Sequence, residues 1–547
     1  MFKHITILLI LICIYLLLVS GRLSLPLTGD DPTQLVPYGT LTNVHPPLFH
    51  FIVRFLTNFL HLSAVQLRII GITCFMVDLM LTYLLVRIIS RDNLIALLGA
   101  LLFVSSPMAI QGSLLIDMDN TILTVALMLF ILYFAVCYDK LKLKDCLILG
   151  FLFFLSLFSK FTTPFALIPS LVIFYTLKKR FLWGASRVIL ISFVGIGLFL
   201  LTWQYFAYYY KLPFVHIFKR PIEMFLQHSG FSNIKFLKHI ATIWLWFGPA
   251  LLFIPIILIS RIKKYWYREV TVLDFCIIYI IVIFLGHNFL EMTAHGFPKY
   301  LYPILPAFAV LVALFLRELG IKLNLRDLVA SSMLIPVTVI YNLFIPGDII
   351  YTFHINLRQN IIFNFVNIKV FFADIFLPIL SYPLFILLIF FILKLLNRHW
   401  RGLSSLSMAV FIVAISSNIS LDILQAKAEY ATNCYYGRSI QDMHKLGEFF
   451  KAVKQKYPQS LIIGPEDVYN EPHMPCLEYP WNGDIGRSPQ AFLQAILDKK
   501  VVCIAYSLSW NSIYTYKNVI LKPEIQKALK DNFKYCPIGE YSVWLRK

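Results

Sequence analysis

The chain has 547 residues, of which 59% are hydrophobic and only 14% are charged. Soluble domains rarely exceed about half apolar residues, so this composition excludes an ordinary soluble globular protein. The net charge of +19 would suit a nucleic-acid-binding protein, but the basic residues lie in short segments between apolar stretches, which excludes that class of partner.

Apolar stretches long enough to cross a hydrocarbon core of roughly 30 Å recur along most of the sequence. They predict membrane-spanning helices rather than barrel strands, because short basic segments separate them and their polarity does not alternate. The first has no small-residue cleavage site behind it, so we expect it to be retained as a span. We place about thirteen spans, at residues 4–20, 66–88, 93–111, 118–138, 144–159, 163–178, 187–209, 240–260, 270–291, 301–318, 327–346, 371–396 and 402–424.

Basic residues concentrate in alternate connections between these spans. If the N-terminus is cytoplasmic, the even-numbered connections carry clusters such as Lys178-Lys179-Arg180, whereas the short odd-numbered ones carry few cations. This positive-inside pattern predicts a multi-pass protein of the plasma (inner) membrane with a cytoplasmic N-terminus. It places the first connection, residues 21–65, and the segment beyond the last span on the outer side.

The first outer loop carries two adjacent carboxylates, Asp30 and Asp31, followed by a His-Pro-Pro sequence that begins at His45. The prolines predict the start of a helix over residues 47–62, whose one-sided apolar pattern is typical of a helix lying in the membrane interface. The acids are flanked by glycine and proline, so a solvated turn is the simpler interpretation of them.

Further charged residues lie at the outer ends of later spans. Asp117 and Asp119 start the fourth span, Lys160 lies in the tight turn between the fifth and the sixth, and Lys299 and Tyr300 open the tenth. Ionisable side chains at membrane depth are costly and usually face a cavity. Acids and bases that share one site suit a reaction in which one group takes a proton while negative charge develops elsewhere. The simpler alternatives are a helix cap for Asp119 and interfacial anchoring for the lysines.

The sequence turns polar beyond residue 424, and no further apolar stretch of span length follows. We therefore divide the chain into a membrane domain, residues 1–424, and a small extracytoplasmic domain, residues 425–547. Alternating helix and strand signals predict an α/β layer that is parallel at least in part. The helices are predicted to begin near Ser439, Ser488 and Lys522, the strands lie at Ser460–Gly464 and Val501–Tyr506, and a hairpin closes the chain at Phe533–Arg546.

The sequence also contains one group of possible metal ligands and one group of cysteines that could form disulfide bonds. His216, Glu223 and His228 fit no common metal-ligand spacing, so the sequence predicts no metal site there. Four cysteines in the outer tail allow three pairings, between which the sequence does not choose. These four are Cys434, Cys476, Cys503 and Cys536, of which Cys503, within a strand, is the one we expect to stay free.

The order of these motifs resembles that of the dolichyl-phosphate-mannose protein mannosyltransferases and aminoarabinose transferases of the GT-C superfamily. That order is an acidic pair, a (Lys/His)-Pro-Pro-Leu-aromatic motif, a Ser-Pro with an Asp beyond it, a Ser/Thr-Lys turn and an (Arg/Lys)-Tyr-x-x-Pro-x-Leu-Pro motif. The resemblance covers roughly residues 1–320. The matching residues are Asp30-Asp31, His45-Pro46-Pro47-Leu48-Phe49, Ser106-Pro107 with Asp119, Ser159-Lys160, and Lys299-Tyr300 with Pro303-Ile304-Leu305-Pro306.

The resemblance implies a GT-C-type membrane glycosyltransferase. Such an enzyme transfers a hexosyl or pentosyl group from a polyprenyl-phosphate donor to a lipid, glycan or protein acceptor at the outer face, usually with inversion. It implies Asp30 as the general base, with Asp31 beside it raising its proton affinity. It implies phosphate contacts from His45, Lys160 and Lys299 and a hydrogen bond from Tyr300.

Asp119 is, on the same resemblance, a candidate to orient the acceptor or to hold a divalent cation, and no other cofactor is expected. The aminoarabinose enzymes commonly have Lys where this chain has His45, which is charged only in part at neutral pH. The alternative function is a carrier or flippase for lipid-linked sugars or other anions, which would use the same groups without breaking a bond. A non-catalytic assembly subunit is a third interpretation.

Overall fold

The computed structural model describes residues 2–20, 23, 45–62, 66–228, 247–266, 269–289, 299–321, 325–344, 377–396, 402–431, 434–435, 438–464, 489–506, 519–539 and 541–547. Asp30 and Asp31 lie outside the described residues. The chain forms two compact units. The first holds the described residues of Met1–Arg22, Val44–Phe51 and Ile69–Ala426, and the second those of Leu23–Asn43, Ile52–Arg68 and Lys427–Lys547.

The first unit is built of helices. In chain order the described helices up to the tail are α1 (Phe2–Val19), α2 (Leu48–Asn58), α3 (Ile69–Ser90), α4 (Asn93–Val104), α5 (Pro107–Ser113), α6 (Ile122–Cys137), α7 (Leu143–Ser159), α8 (Leu167–Leu177), α9 (Phe181–Tyr209), α10 (His216–His228), α11 (Phe253–Trp266), α12 (Val272–Phe289), α13 (Leu305–Glu318), α14 (Leu325–Phe344), α15 (Leu377–Leu396) and α16 (Gly402–Ala431). Short 3₁₀ turns at Gln66–Arg68, Thr163–Ala166, Gly248–Leu252 and Lys299–Ile304 lead into α3, α8, α11 and α13.

Among the described residues, five helices are long and apolar enough to cross a membrane, or six if α4 and α5 form one bent span. Five shorter apolar helices accompany them. The protein is therefore a mostly helical, multi-pass membrane protein, and the count of about thirteen spans stays a prediction. The helix expected in the first outer loop is present as α2, with Phe55 on its surface and Phe59 directly after its end both exposed.

The predicted span at residues 93–111 is wrong in one respect, because it is two helices, α4 and α5, that meet at an angle of 63°. Pro107 is the first residue of α5, and Ser106 before it has an extended backbone. A proline lacks the N–H that would continue a helix, and it disfavours helical geometry at the residue before it. The fourth span begins later than predicted, at Ile122, so residues 114–121 form a buried loop.

The connections between helices set which ends lie together. Turns of a few residues join α6 to α7, α7 to α8 and α8 to α9, so the chain reverses at each of them. α7 and α9 run side by side at glycine contacts: a Cβ on Gly195 would lie 2.4 Å from the Phe153 ring. The loop 114–121, the end of α7 and the start of the Lys299–Ile304 turn consequently share one end of the helices, which is referred to below as the site end.

The opposite end of the helices is held by a buried ionic network. Arg261 of α11 forms an ion pair with Asp274 at the start of α12, and its guanidinium lies 2.7 Å from Glu318 at the end of α13. Arg317 donates to the Ile89 carbonyl oxygen at 2.8 Å, which joins the end of α13 to the end of α3. These contacts explain why α3 and α13 point in the same direction.

The second unit contains a four-stranded mixed sheet. Its strands are ordered β3-β4-β6-β5, with β3 and β4 parallel and the other neighbours antiparallel. The predicted helices and strands of the tail are present, and Cys503 is buried and free. The tail elements are β1 (Cys434–Tyr435), β2 (Arg438–Ser439), α17 (Ile440–Lys456), β3 (Leu461–Ile463), α18 (Pro489–Leu497), β4 (Val501–Tyr506), α19 (Pro523–Asn532), β5 (Phe533–Tyr535) and β6 (Ser542–Arg546).

Candidate active site

The loop at residues 114–121 fixes two carboxylates at the site end. The Asp119 N–H donates to Asp117 Oδ1 at 2.9 Å. The hydroxyl of Thr121 donates to the Asp117 carbonyl oxygen and that of Thr124 to the Asp119 carbonyl oxygen, each at 2.7 Å. Because the backbone is held on both sides, the loop presents the two acids in defined positions although it has no regular secondary structure.

Each carboxylate faces a lysine from a distant part of the chain. Lys160, at the end of α7, forms an ion pair with Asp119, and the two side chains are only 2% and 1% exposed. Lys299 Nζ lies 2.9 Å from Asp117 Oδ2, and this pair is more open, with 14% of the lysine side chain exposed. Four charges from three separate segments therefore meet in one cluster, here called the four-charge cluster.

Tyr300 lies beneath both ammonium groups. Its ring centroid is 4.0 Å from Lys160 Nζ and 5.3 Å from Lys299 Nζ, within the range of cation–π attraction. The ring of His287, in the last turn of α12, lies 5.8 Å from the same ring. The tyrosine thus positions the two cations relative to each other, which the sequence did not predict.

Burial and pairing oppose each other in the electrostatics of the cluster. Burial raises the pKa of Asp119 to about 6, because the nearby Lys160 charge only partly offsets the loss of water. Burial also raises the pKa of Asp117, but Lys299 and Lys160 outweigh it and leave that pKa at about 2. Burial lowers the pKa of Lys160, against the pull of both aspartates. Asp119 is therefore the group of the cluster that takes up a proton first as the pH falls.

His45 lies among the same charges. Loss of hydration, followed by the positive charges of Lys160 and Lys299, lowers its pKa to about 3. The imidazole is therefore neutral across the physiological range, and His45 does not replace the lysine that the aminoarabinose enzymes commonly carry at this position.

The structure brings together five of the seven residues that the sequence singled out, namely His45, Asp119, Lys160, Lys299 and Tyr300. Asp30 and Asp31 lie outside the described residues. The helix-cap alternative for Asp119 is wrong, because the residue at the N-cap of α6 is Thr121. Lys160 is buried in its ion pair with Asp119, so its ammonium group does not extend into solvent as a snorkelling lysine would.

Sequence reasoning missed two members of the site. The sequence places Asp117 beside Asp119 but gives no role to it, although it is the partner of Lys299. His287 carried no signal of its own, since it is an isolated histidine in an apolar helix. The (Arg/Lys)-Tyr motif places a cation beside an aromatic ring. A buried cation needs a carboxylate partner, so this motif was the signal that could have pointed to Asp117.

Within the described part of the chain, no group of three or more His, Cys, Asp or Glu side chains is arranged to hold a metal ion. Asp119, a candidate for holding a cation, has its Oδ2 taken by Lys160. The chemistry that the described residues offer is contact with an anion through Lys299, which is the more exposed of the two lysines.

A model of the dolichyl-phosphate-mannose-protein mannosyltransferase family matches residues 44–203. That segment includes His45, both aspartates of the cluster and Lys160. No curated protein matches the sequence significantly.

Solved structures match over almost the whole chain. ArnT from Cupriavidus metallidurans bound to undecaprenyl phosphate is 12% identical, with a TM-score of 0.54 over 99% of this chain and 97% of that chain. ArnT in the apo state is 13% identical, with a TM-score of 0.53 over 98% and 97%. The Archaeoglobus fulgidus oligosaccharyltransferase in the apo form is 10% identical, with a TM-score of 0.48 over 100% and 74%.

The family model confirms, over residues 44–203, the resemblance that the sequence motifs predicted. The match to ArnT shows that the fold is shared over almost the whole chain.

Proposed function

We propose that this chain, which has the fold of ArnT and matches the mannosyltransferase family model over residues 44–203, is an integral-membrane glycosyltransferase. It transfers a sugar from a polyprenyl-phosphate donor to a lipid, glycan or protein acceptor at the outer face of the membrane. On this proposal about thirteen spans form a GT-C membrane domain, residues 1–424, and residues 425–547 form an extracytoplasmic α/β domain.

The observation that carries this proposal is the four-charge cluster. Lysines 139 residues apart in the sequence meet one tyrosine at the site end of the helices, and one of them, Lys299, is partly exposed. Ammonium groups at such a place stabilise the negative charge that develops on a departing phosphate. ArnT, which shares the fold, binds undecaprenyl phosphate, and this supports a polyprenyl-phosphate donor here.

The depth of the cluster fits a lipid headgroup. α9 has 29 residues, which is about 43 Å of helix and more than a hydrocarbon core requires. Its last turns carry Tyr208 and Tyr209, 86% and 66% exposed, and tyrosines are enriched at the membrane–water interface. Phe158, two residues before Lys160, has its ring 5.7 Å from Phe206 of α9, within one turn of those tyrosines. Lys160 is thus near the level at which a lipid-linked phosphate lies.

The proposed reaction is an inverting displacement. The acceptor hydroxyl oxygen attacks the anomeric carbon, the bond from that carbon to the phosphate oxygen breaks, and its electron pair leaves on polyprenyl phosphate. Asp30 takes the hydroxyl proton as general base, and Asp31 raises the proton affinity of Asp30 by like-charge repulsion. Lys299 contacts the phosphate directly, Tyr300 donates a hydrogen bond to it, and Lys160 acts through Asp119 and the ring of Tyr300. His45 contributes as a neutral hydrogen-bonding group.

Reconstitution tests the proposal. The purified protein in liposomes is given undecaprenyl-phosphate hexoses and a mixture of lipid and peptide acceptors, and released undecaprenyl phosphate is measured. We expect turnover by the wild type and a loss of at least about 10²-fold in Asp30→Asn, as for removal of a general base. Donor that crosses the bilayer without release of undecaprenyl phosphate would instead identify a carrier. Full turnover in Asp30→Asn would overturn the assignment of the base.

A further inference from the structure

Within the part of the chain that the structure describes, several fully buried polar atoms close in sequence to the four-charge cluster have no hydrogen-bond partner. The side-chain amide of Asn120, which follows Asp119, lacks a partner at both its oxygen and its nitrogen, and the same holds for Asn288, which follows His287. The Thr163 hydroxyl, three residues after Lys160, and Asp119 Oδ1 also lack partners. Both asparagines are 0% exposed.

Such groups are rare in folded proteins, because a polar atom that has lost water and gained no partner costs free energy. Each belongs to a residue of the cluster or lies within three residues of a cluster member or of His287, whose ring contacts Tyr300. The Thr163–Ala166 turn packs on α12, which carries Asn288. The Lys299–Ile304 turn, which carries Lys299 and Tyr300 of the cluster, packs on α12 and on α6, the helix that follows Asn120. A partner supplied by substrate explains why several of them occur together.

The chemistry of these atoms identifies that partner as uncharged. Within the cluster two carboxylates already neutralise two ammonium groups. The groups without a hydrogen-bond partner are the amides of Asn120 and Asn288, the hydroxyl of Thr163 and one carboxylate oxygen of Asp119. An amide both donates and accepts hydrogen bonds, as a sugar hydroxyl does. These atoms do not offer the ammonium groups that a second phosphate would require.

We propose that Asn120, Asn288 and Thr163 bind hydroxyl groups of the donor's sugar, beside the phosphate held by Lys299. This inference rests on the proposed function and adds a subsite for a neutral, hydroxyl-rich sugar. A site built to hydrogen-bond a hydroxyl discriminates strongly against a ligand that lacks it, since its own polar atoms are then left unpaired. The three side chains therefore determine which glycosylated carrier is accepted.

The test compares sugar-bearing and sugar-free ligands. Dissociation constants are measured in detergent for undecaprenyl phosphate and for a set of undecaprenyl-phosphate hexoses, with the wild type, Asn120→Leu and Asn288→Leu. We expect the wild type to prefer at least one hexose over the bare carrier. Both variants should bind that hexose at least about tenfold more weakly but keep the affinity for bare undecaprenyl phosphate, because leucine preserves volume and removes only the hydrogen bonds.

The ligand-free unfolding temperature separates this subsite from a structural water site. If the two amides form hydrogen bonds only with bound substrate, Asn120→Leu and Asn288→Leu leave the ligand-free unfolding temperature unchanged or raise it. The reason is that each substitution removes an unpaired polar group from the interior. A lower ligand-free temperature together with an unchanged hexose preference would overturn the inference. Asn93→Leu is the matched control, because Asn93 also has a buried amide oxygen without a partner but lies at the start of α4, away from the site end.

If a leucine variant fails to fold, Thr163→Val provides the same comparison with a smaller change. An unchanged hexose preference in Thr163→Val overturns the inference. A wild type that binds no hexose better than the bare carrier also overturns it. A wild type that does not bind undecaprenyl phosphate at all would contradict the proposed function itself, and so the two failures are distinguishable.

Discussion

Lys160 and Asp119 are nearly inaccessible to water, so neither charge can be left alone without a large penalty. We expect Lys160→Met to lower the free energy of unfolding by about 3–5 kcal/mol, because it leaves a buried carboxylate unpaired. The double variant Lys160→Met/Asp119→Leu should regain most of that stability and remain inactive. Thermal unfolding in detergent, followed by fluorescence, measures both.

The matched control is Lys178→Met, which breaks an ion pair with Asp139 whose carboxylate is 57% exposed. An exposed pair contributes only about 0–1 kcal/mol. Equal losses in Lys160→Met and Lys178→Met would show that the pair in the cluster is not desolvated as described.

The raised pKa of Asp119, about 6, predicts a pH dependence of donor binding. As the pH falls from 7.5 to 5, Asp119 is protonated and the net charge of the four-charge cluster changes from zero to +1. A sugar phosphodiester carries one negative charge at both pH values, so we expect its affinity to rise, by up to about tenfold for one partly screened charge. Isothermal titration at the two pH values measures this.

Asp119→Asn should abolish that pH dependence and bind as tightly at pH 7.5 as the wild type does at pH 5. The same shift has a consequence for stability. Because the folded pKa is above the ordinary value of 3.8, Asp119 favours the folded state at low pH, and this contribution is lost as the pH rises through about 6. An affinity that falls on acidification would contradict the charge assignment.

At this scale the sequence identified the residue types of the site but not their pairing. Lys160, Lys299 and Tyr300 were predictable, because cations and an aromatic ring at span ends are unusual in so apolar a chain. Which of Asp117 and Asp119 faces which lysine depends on hydrogen bonds inside the 114–121 loop. No periodic pattern in the sequence records such contacts.

The helices position that loop through close contacts between small residues. Gly71 of α3 lies against the end of α5, where an added Cβ would be 2.3 Å from the Ser113 carbonyl oxygen. A backbone atom cannot move aside as a flexible side chain can. We expect Gly71→Ala to displace the 114–121 loop and to lower donor turnover by at least about tenfold, which the liposome assay measures.

Gly197→Ala in α9 is the control for that substitution, because no atom of the described residues lies within 4 Å of the added Cβ. It should leave turnover unchanged, and alanine favours the helical backbone over glycine by up to about 1 kcal/mol. If Gly71→Ala were as active as Gly197→Ala, the packing of α3 on α5 would not control the site.

The elements show where sequence patterns succeed and fail. Apolar length predicted most helices of the first unit, and alternating signals predicted the strands of the four-stranded sheet but not β1 and β2. The bend between α4 and α5 was missed, because the residues on both sides of Pro107 are apolar enough to continue one span. The orphan amides of the inferred sugar subsite were also invisible, since an asparagine shows its lack of partners only in three dimensions.

At the scale of the whole molecule, the helices of the first unit alternate in direction. The site end therefore lies opposite the end that holds the ion pairs of Arg261 with Asp274 and Glu318, here called the ionic end. The positive-inside pattern predicts that the ionic end is cytoplasmic. We expect Lys211→Cys, after α9 at the site end, to react with a membrane-impermeant maleimide added to intact cells. Lys140→Cys, in the turn between α6 and α7, should react only after the cells are opened; both positions are exposed.

These labelling variants are made in a background in which the native cysteines are serine. Labelling of Lys140→Cys but not of Lys211→Cys in intact cells would place the site end in the cytoplasm and contradict an outer-face transferase.

Lys299 is the more exposed lysine of the four-charge cluster and the proposed contact for the donor's phosphate. The most direct test is the rate at which undecaprenyl phosphate is released from undecaprenyl-phosphate hexose by reconstituted Lys299→Met, with Lys211→Met as the control. We predict a fall of about 10²–10³-fold for Lys299→Met, as for loss of one group that stabilises developing negative charge, and no change for the control. A Lys299→Met rate within twofold of the wild type would contradict the account.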